Sequence, residues 1–130
     1  MYFSDEMAGK PWNSGIYSAF FTLRGYRDAV PLGTTVNSSF IDYTPFVSRD
    51  ESYLLFSSSR PSMHEDMFLY VTFRQKDGTW SSARKLTMGF SGNARFPSIS
   101  PDGKYLFFCG DDGNIYWVSI KVVKKSRPTE

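Results

Sequence analysis

Apolar residues along this chain gather in short, dense runs: YLLFSS (53–58), LYVTFR (69–74), YLFFCG (105–110) and IYWVSI (115–120). The runs are rich in Tyr, Phe, Leu and Val, show little strict alternation, and end at turn-forming residues, which predicts short strands covered on both faces. The residues between them predict tight turns. Asp50-Glu51 and Asp102-Gly103 each place an Asx side chain where it bonds forward to the backbone; Gly103 is free to take positive φ, and Glu51 makes the weaker version. Lys76-Asp77-Gly78-Thr79 is a further hairpin signal, with Trp80 set to pack just beyond it.

The runs also repeat. Residues 42–58 (DYTPFVSRDESYLLFSS) laid over 94–110 (ARFPSISPDGKYLFFCG) match Pro45 to Pro97, Ser48 to Ser100, Asp50 to Asp102, Tyr53 to Tyr105, Leu54 to Leu106 and Phe56 to Phe108, without gaps. Downstream, 69–74 lies over 115–120 and both lie over IYSAFF (16–21), so a third copy exists, with YFS (2–4) and YRDAVPLG (26–33) as its other strands. A period of about 46 to 54 residues with four short strands per unit is the signature of β-propeller blades, which bury their faces against one another around a central channel. The predicted fold class is therefore all-β: four-stranded antiparallel blades, about two and a half of them, in an incomplete ring. The repeats cover about 1–33, 42–87 and 94–120, and a basic C-terminal tail covers 121–130. Closed propellers take about four to eight blades, so one chain cannot close a ring. A head-to-tail junction of identical copies would bring six strands where a blade needs four, so simple ring assembly does not tile either, and truncation of a longer chain is the expectation.

Ser100-Pro101-Asp102-Gly103, followed by Lys104 to Phe108 and then Asn114-Ile115-Tyr116-Trp117-Val118, resembles the TolB-like, WD-repeat-like propeller repeat built on a Pro-Asp-Gly turn. The likeness spans nearly the whole chain. It is fullest in the last copy, looser in the middle one, where Arg49 and Glu51 replace Pro and Gly, and faintest in the first. Asn114 and Gly15 stand where the family has an Asp before Ile-Tyr. The resemblance implies the C-terminal portion of a bacterial propeller, periplasmic or secreted, whose remaining blades lie in the parent chain. It implies a non-catalytic binding or protein-interaction module; the alternative is the propeller domain of an enzyme, gating a peptidase or cleaving glycans.

Composition fits this reading, since an aromatic content of 18% with ten Gly and seven Pro suits many strands and punctuated turns. The formal charge of +2 sits in the tail, where Lys121, Lys124, Lys125 and Arg127 face only Glu130, leaving the rest at −1. Such a short run reads as a solvated end, and with no basic groove elsewhere no nucleic-acid partner is expected. No stretch approaches the roughly 20 apolar residues of a membrane span, and MYFSDEMAGK lacks the order of a signal peptide. The single cysteine, Cys109, excludes an internal disulfide and a multi-Cys zinc site.

Candidate chemistry is sparse. His64 stands in SRPSMHED (59–66) beside Glu65 and Asp66, among many serines, but no spacing selects a nucleophile, so no catalytic residue is assigned. Asp111 and Asp112 in GDDGN (110–114) are adjacent acids without the ligand spacing of a calcium loop, and read as a turn. Asp77-Gly78-Thr79-Trp80 lacks the spacer and upstream Ser of a sialidase-type Asp-box. Cys109 occupies the register of Ser57 and Ser4 and reads as small filler, Trp80 and Trp117 as core. No cofactor or metal is expected. Alternating strand directions place loops 5–15, 59–66 and 110–114 and connections 33–42 and 87–95 on one face, where a protein, peptide or glycan partner is expected. The candidate contacts are Trp12, which has no counterpart in the other copies, Arg60, His64, Asp66 and Phe90.

Overall fold

The apolar runs become strands that pair antiparallel with their sequence neighbours, as short connections dictate. The computed structural model describes residues 1–7, 10–61 and 66–129, the side chains of 10–13 excepted. β1 (Tyr2–Met7), β2 (Lys10–Ser18) and, after a small hairpin of β3 (Phe21–Thr22) and β4 (Gly25–Tyr26), β5 (Val30–Pro31) make the first sheet, in the order β1-β2-β5. The second is a four-stranded meander of β6 (Asp42–Val47), β7 (Tyr53–Ser58), β8 (Phe68–Phe73) and β9 (Arg84–Lys85). The third holds β10 (Arg95–Ile99), β11 (Tyr105–Cys109) and β12 (Ile115–Ser119), and the one-turn helix α1 (Lys121–Lys125) follows. The fold is all-β in small blade-like sheets, none closed on itself.

The second sheet is covered on both faces. Because alternate residues point to opposite sides, Leu54, Phe56 and Tyr70 join Ile16, Val36 and Trp80 in one cluster. Leu55, Leu69, Val71 and Phe73 meet Leu106, Phe108, Ile120 and Val123 in the other. Fully burying a side chain such as Leu55 contributes about 1.5–3 kcal/mol, so these two seams hold the sheets together.

Three features recur from sheet to sheet. A cross-strand Phe–Tyr stack stands in each: Phe3–Tyr17, Phe56–Tyr70 and Phe108–Tyr116, with ring centroids 5.9, 6.0 and 5.9 Å apart. The register slips between Tyr43 and Phe46 in β6 and between Arg95 and Ser98 in β10. There Thr44 (φ 52°) and Phe96 (φ 56°), each just before a proline, take left-handed backbone, so the repeated Pro marks a β-bulge, a place where a missing ladder donor is tolerated. At each bulge the backbone N–H reaches the preceding sheet: Thr44 N–H to Ser4 Oγ (3.5 Å) and Phe96 N–H to Ser57 Oγ (3.3 Å).

The expected turns form at Asp50-Glu51, Asp102-Gly103 and Asp77-Gly78, with Glu51 (φ 55°), Gly103 (φ 73°) and Gly78 (φ 84°) all left-handed. Trp80 is 8% exposed, under the Arg74 guanidinium 4.3 Å from its ring. Trp117, expected in the core like Trp80, is instead 62% exposed, because no described sheet covers its face of the third sheet. Two segments also differ from expectation. Of residues 5–15, read as a loop, 5–7 and 10–15 continue the first hairpin through the pairs Asp5–Gly15 and Glu6–Ser14. The start of the basic tail folds into α1, because Val123 (1% exposed) finds a place in the seam between the second and third sheets.

Candidate functional site

Of the five loop residues proposed from sequence, Asp66 is exposed. Arg60 follows β7 and turns inward: its guanidinium bonds Asp42 Oδ1 (2.7 Å), the Val36 carbonyl (2.6 Å) and Ser58 Oγ (2.9 Å), and lies over the Tyr70 and Phe56 rings. Asp42, wholly buried, is satisfied in turn by Ser38 N–H and Oγ (both 2.7 Å) and Ser58 Oγ (2.6 Å). Charge-assisted bonds of this kind are what a buried carboxylate needs, and they occupy Arg60 in the seam between the first and second sheets. Phe90 packs into the other seam, 5.0 Å from Phe108 and 4.7 Å from Tyr116. His64 and the Trp12 side chain lie outside the described residues.

The opposite edge of the molecule carries a cleft that sequence reasoning passed over. The turns after β6 and β10, two copies of one phrase, stand side by side across the second seam and enclose about 730 Å³. Phe46, Val47, Tyr53, Ile99 and Ile120 give it apolar walls, while Arg49, Asp50, Asp102 and Lys124 form the rim. The signal was present in the sequence, since a turn repeated in two sheets that pack face to face places its two copies at one seam.

The two turns are built alike. Ser48 Oγ donates to Asp50 Oδ1 (2.8 Å) and accepts from Tyr53 N–H (3.1 Å); Ser100 Oγ donates to Asp102 Oδ1 (2.6 Å) and accepts from Tyr105 N–H (3.0 Å). Asp50 gains further bonds from Ser52 Oγ (2.7 Å) and N–H (3.1 Å), and Asp102 from Lys104 N–H (3.0 Å). Donors aimed at the charged form lower a carboxyl pKa. The Ser52 and Ser48 bonds hold Asp50 below its ordinary value, and the Ser100 and Lys104 bonds do the same for Asp102. Burial, then the Asp50 charge, pushes the Tyr53 phenol above its ordinary value, so it remains a neutral donor in the wall. Both serine hydroxyls point at carboxylates already ionised and engaged in turns, an arrangement suited to shape and charge recognition rather than nucleophilic attack.

Asp112 likewise serves its turn. It accepts from Tyr116 Oη (2.5 Å) and from Asn114 N–H (3.0 Å) and Nδ2 (2.8 Å), which lower its pKa, while Tyr116 is raised by the same bond. Asp111 instead accepts from Asn93 Nδ2 (2.7 Å). Among the described residues no group of three or more His, Cys, Asp or Glu is placed to hold a metal ion, and no helix is long and apolar enough to cross a membrane. No family model matches the chain, and no curated protein matches it significantly.

Proposed function

We propose that the chain is a run of consecutive propeller-type blades acting as a non-catalytic peptide-binding module, with the cleft between the second and third blades as its binding surface. The observation that carries this reading is the cleft itself. Apolar walls offer burial to a side chain, a rim of both signs offers orientation, and the two turn carboxylates are fixed by their own hydrogen bonds before any ligand arrives. The recurring bulge, Asx turn and Phe–Tyr stack support blades over unrelated sheets, as does the Pro-Asp-Gly resemblance, which also favours an extracytoplasmic protein.

A phage-displayed random peptide library panned on the chain tests this. Peptides with one large apolar anchor are expected to enrich, and Tyr53→Ala, which removes an aromatic wall, is expected to weaken the selected peptides about tenfold or more, while circular dichroism shows the variant folded. Failure to enrich any peptide, or equal affinity for the folded variant, would overturn the reading.

A further inference from the structure

The hairpin of β3 and β4 sets its apolar residues in water. Phe20 is 73%, Phe21 74% and Tyr26 58% exposed, and Leu23, at the apex, is wholly so. Among the described residues these four join neither core cluster, and the two strands pair only with each other. The fold does not require this. The connection from β8 to β9 holds the same place in the second sheet, and there it is the polar turn Gln75-Lys76-Asp77-Gly78-Thr79. A two-stranded hairpin has little stability of its own, yet this one is held in shape. Phe21 and Tyr26 meet edge to face at 5.1 Å, Thr22 Oγ1 donates to the Gly25 carbonyl (2.8 Å), and Arg27 N–H closes the base on the Phe20 carbonyl (2.8 Å). A preformed apolar projection with no internal purpose marks an interaction site.

We infer that the hairpin tip inserts into an anionic lipid surface. Shape is the first observation that favours a bilayer over a protein groove. Phe20, through its bond from Arg27, continues the ladder one step beyond Phe21 and so points to the opposite face. The tip is therefore apolar on both sides, with Leu23 at its end. A groove covers one face, whereas the boundary between headgroups and acyl chains surrounds whatever enters it. Charge is the second. Arg24 at the apex and Arg27 at the base are both exposed. No acid lies between Phe20 and Arg27, and Asp28 stands beyond the base. Asp5 and Glu6 lie at the far end of β1 from the Tyr2–Ser18 pair that adjoins the hairpin. An arginine stem lies along apolar surface while its guanidinium stays among the headgroups, and the Tyr26 ring, with one apolar end and one polar, suits the same boundary. Each cation adds attraction to anionic headgroups. None of the hairpin residues lines the cleft, so the two sites are tested apart.

Co-sedimentation with vesicles tests the inference. The chain is expected to partition onto vesicles of phosphatidylcholine mixed with phosphatidylglycerol about tenfold or more strongly than onto phosphatidylcholine alone, and to lose that preference as salt rises. Leu23→Ser and Phe21→Ser, at exposed positions where substitution hardly touches folding, are each expected to weaken binding to the mixed vesicles about tenfold. Arg24→Gln combined with Arg27→Gln is expected to abolish the preference for them. Leu23→Trp places a fluorophore at the apex, and lipids brominated on their acyl chains are expected to quench it beyond the quenching seen in the wild type. Trp117→Ser, which removes an exposed aromatic residue from the third sheet, is expected to bind as the wild type does. An equal loss for Trp117→Ser would mean adsorption through any apolar surface and overturns the inference. So does a wild-type chain that binds neither kind of vesicle, or hairpin variants that bind unchanged. If the chain ignores vesicles but self-associates in a way that Leu23→Ser abolishes, the hairpin serves a second copy and the lipid surface is overturned.

Discussion

The second and third sheets are written in nearly the same phrase and meet different surroundings. Both have the bulge before proline, the Asp-centred turn and the Phe–Tyr stack. Yet β8 is buried along nearly its whole length, while β12 alternates between exposed and half-buried. LYVTF and IYWVS are about equally apolar, so the contrast arises from neighbours: the second sheet is clamped on both faces and the third on one. The seams differ as well. Asp42 and Ala94 hold the same repeat register and are 0% and 1% exposed; the first anchors a hydrogen-bonded ion pair and the second lies in an apolar cluster. The repeat sets the path of the strands, and each seam chooses its own filling.

The largest test of that contrast is Asp42→Ala, which makes the register apolar in both seams. Arg60, Ser38 and Ser58 then lose the group that satisfies them, and removing one partner of a buried pair costs about 3–5 kcal/mol. Urea unfolding is expected to show a loss of that order; a loss below about 1 kcal/mol, the worth of one ordinary hydrogen bond, would mean that the polar filling does not hold its seam. Next in size is the clamped face against the bare one. Leu55→Ala is expected to cost about 2–5 kcal/mol, and Trp117→Ala less than about 1 kcal/mol. Equal costs would erase the distinction between the sheets.

The strand order was legible because apolar runs and turn residues recur in register, and a repeat reports its own boundaries. What escaped was polar or long-range. Asp5, Glu6 and Ser14 pair across an exposed hairpin, and strands without an apolar face carry no hydrophobic signature. Arg60 reads as a loop cation in sequence, since nothing local reveals that Asp42 waits 18 residues upstream. The repeated prolines showed that Pro45 and Pro97 were structural, but not that the residue before each would be left-handed, because a bulge depends on the partner strand. For the cleft, the residues were noticed as turns and their juxtaposition was not, since it exists only once two sheets stack.

The turns allow a finer comparison. Gly103 and Glu51 occupy the same left-handed position, and a Cβ built on Gly103 meets nothing within 4 Å, so the penalty there is purely one of backbone. Gly103→Ala is expected to cost about 1–2 kcal/mol. Glu51→Gly has the opposite sign, gaining up to about 1 kcal/mol less the exposed pair with Arg74 (3.2 Å), which contributes little. Denaturant midpoints moving in the same direction for both variants would show that the turns are not equivalent.

The smallest effect is the response of the same turns to acid. Asp50 and Asp102 both have pKa values lowered in the folded chain by hydrogen bonds that the unfolded chain lacks. A depressed folded pKa adds stability that is fully present above the unfolded value and disappears as pH falls through the folded one. The window therefore opens below about pH 4, the ordinary carboxyl range, and stability declines from there downward. Asp77 and Asp112 share the direction, so the informative quantity is the change in slope when one turn is neutralised. Asp50 collects both Ser52 bonds besides that of Ser48, whereas Asp102 has Ser100 and one backbone donor. Asp50→Asn is thus expected to flatten the acid limb of the urea midpoint more than Asp102→Asn does. If the two substitutions flatten it equally, the hydroxyl of Ser52 adds nothing, and the second and third sheets differ in their neighbours but not in their turns.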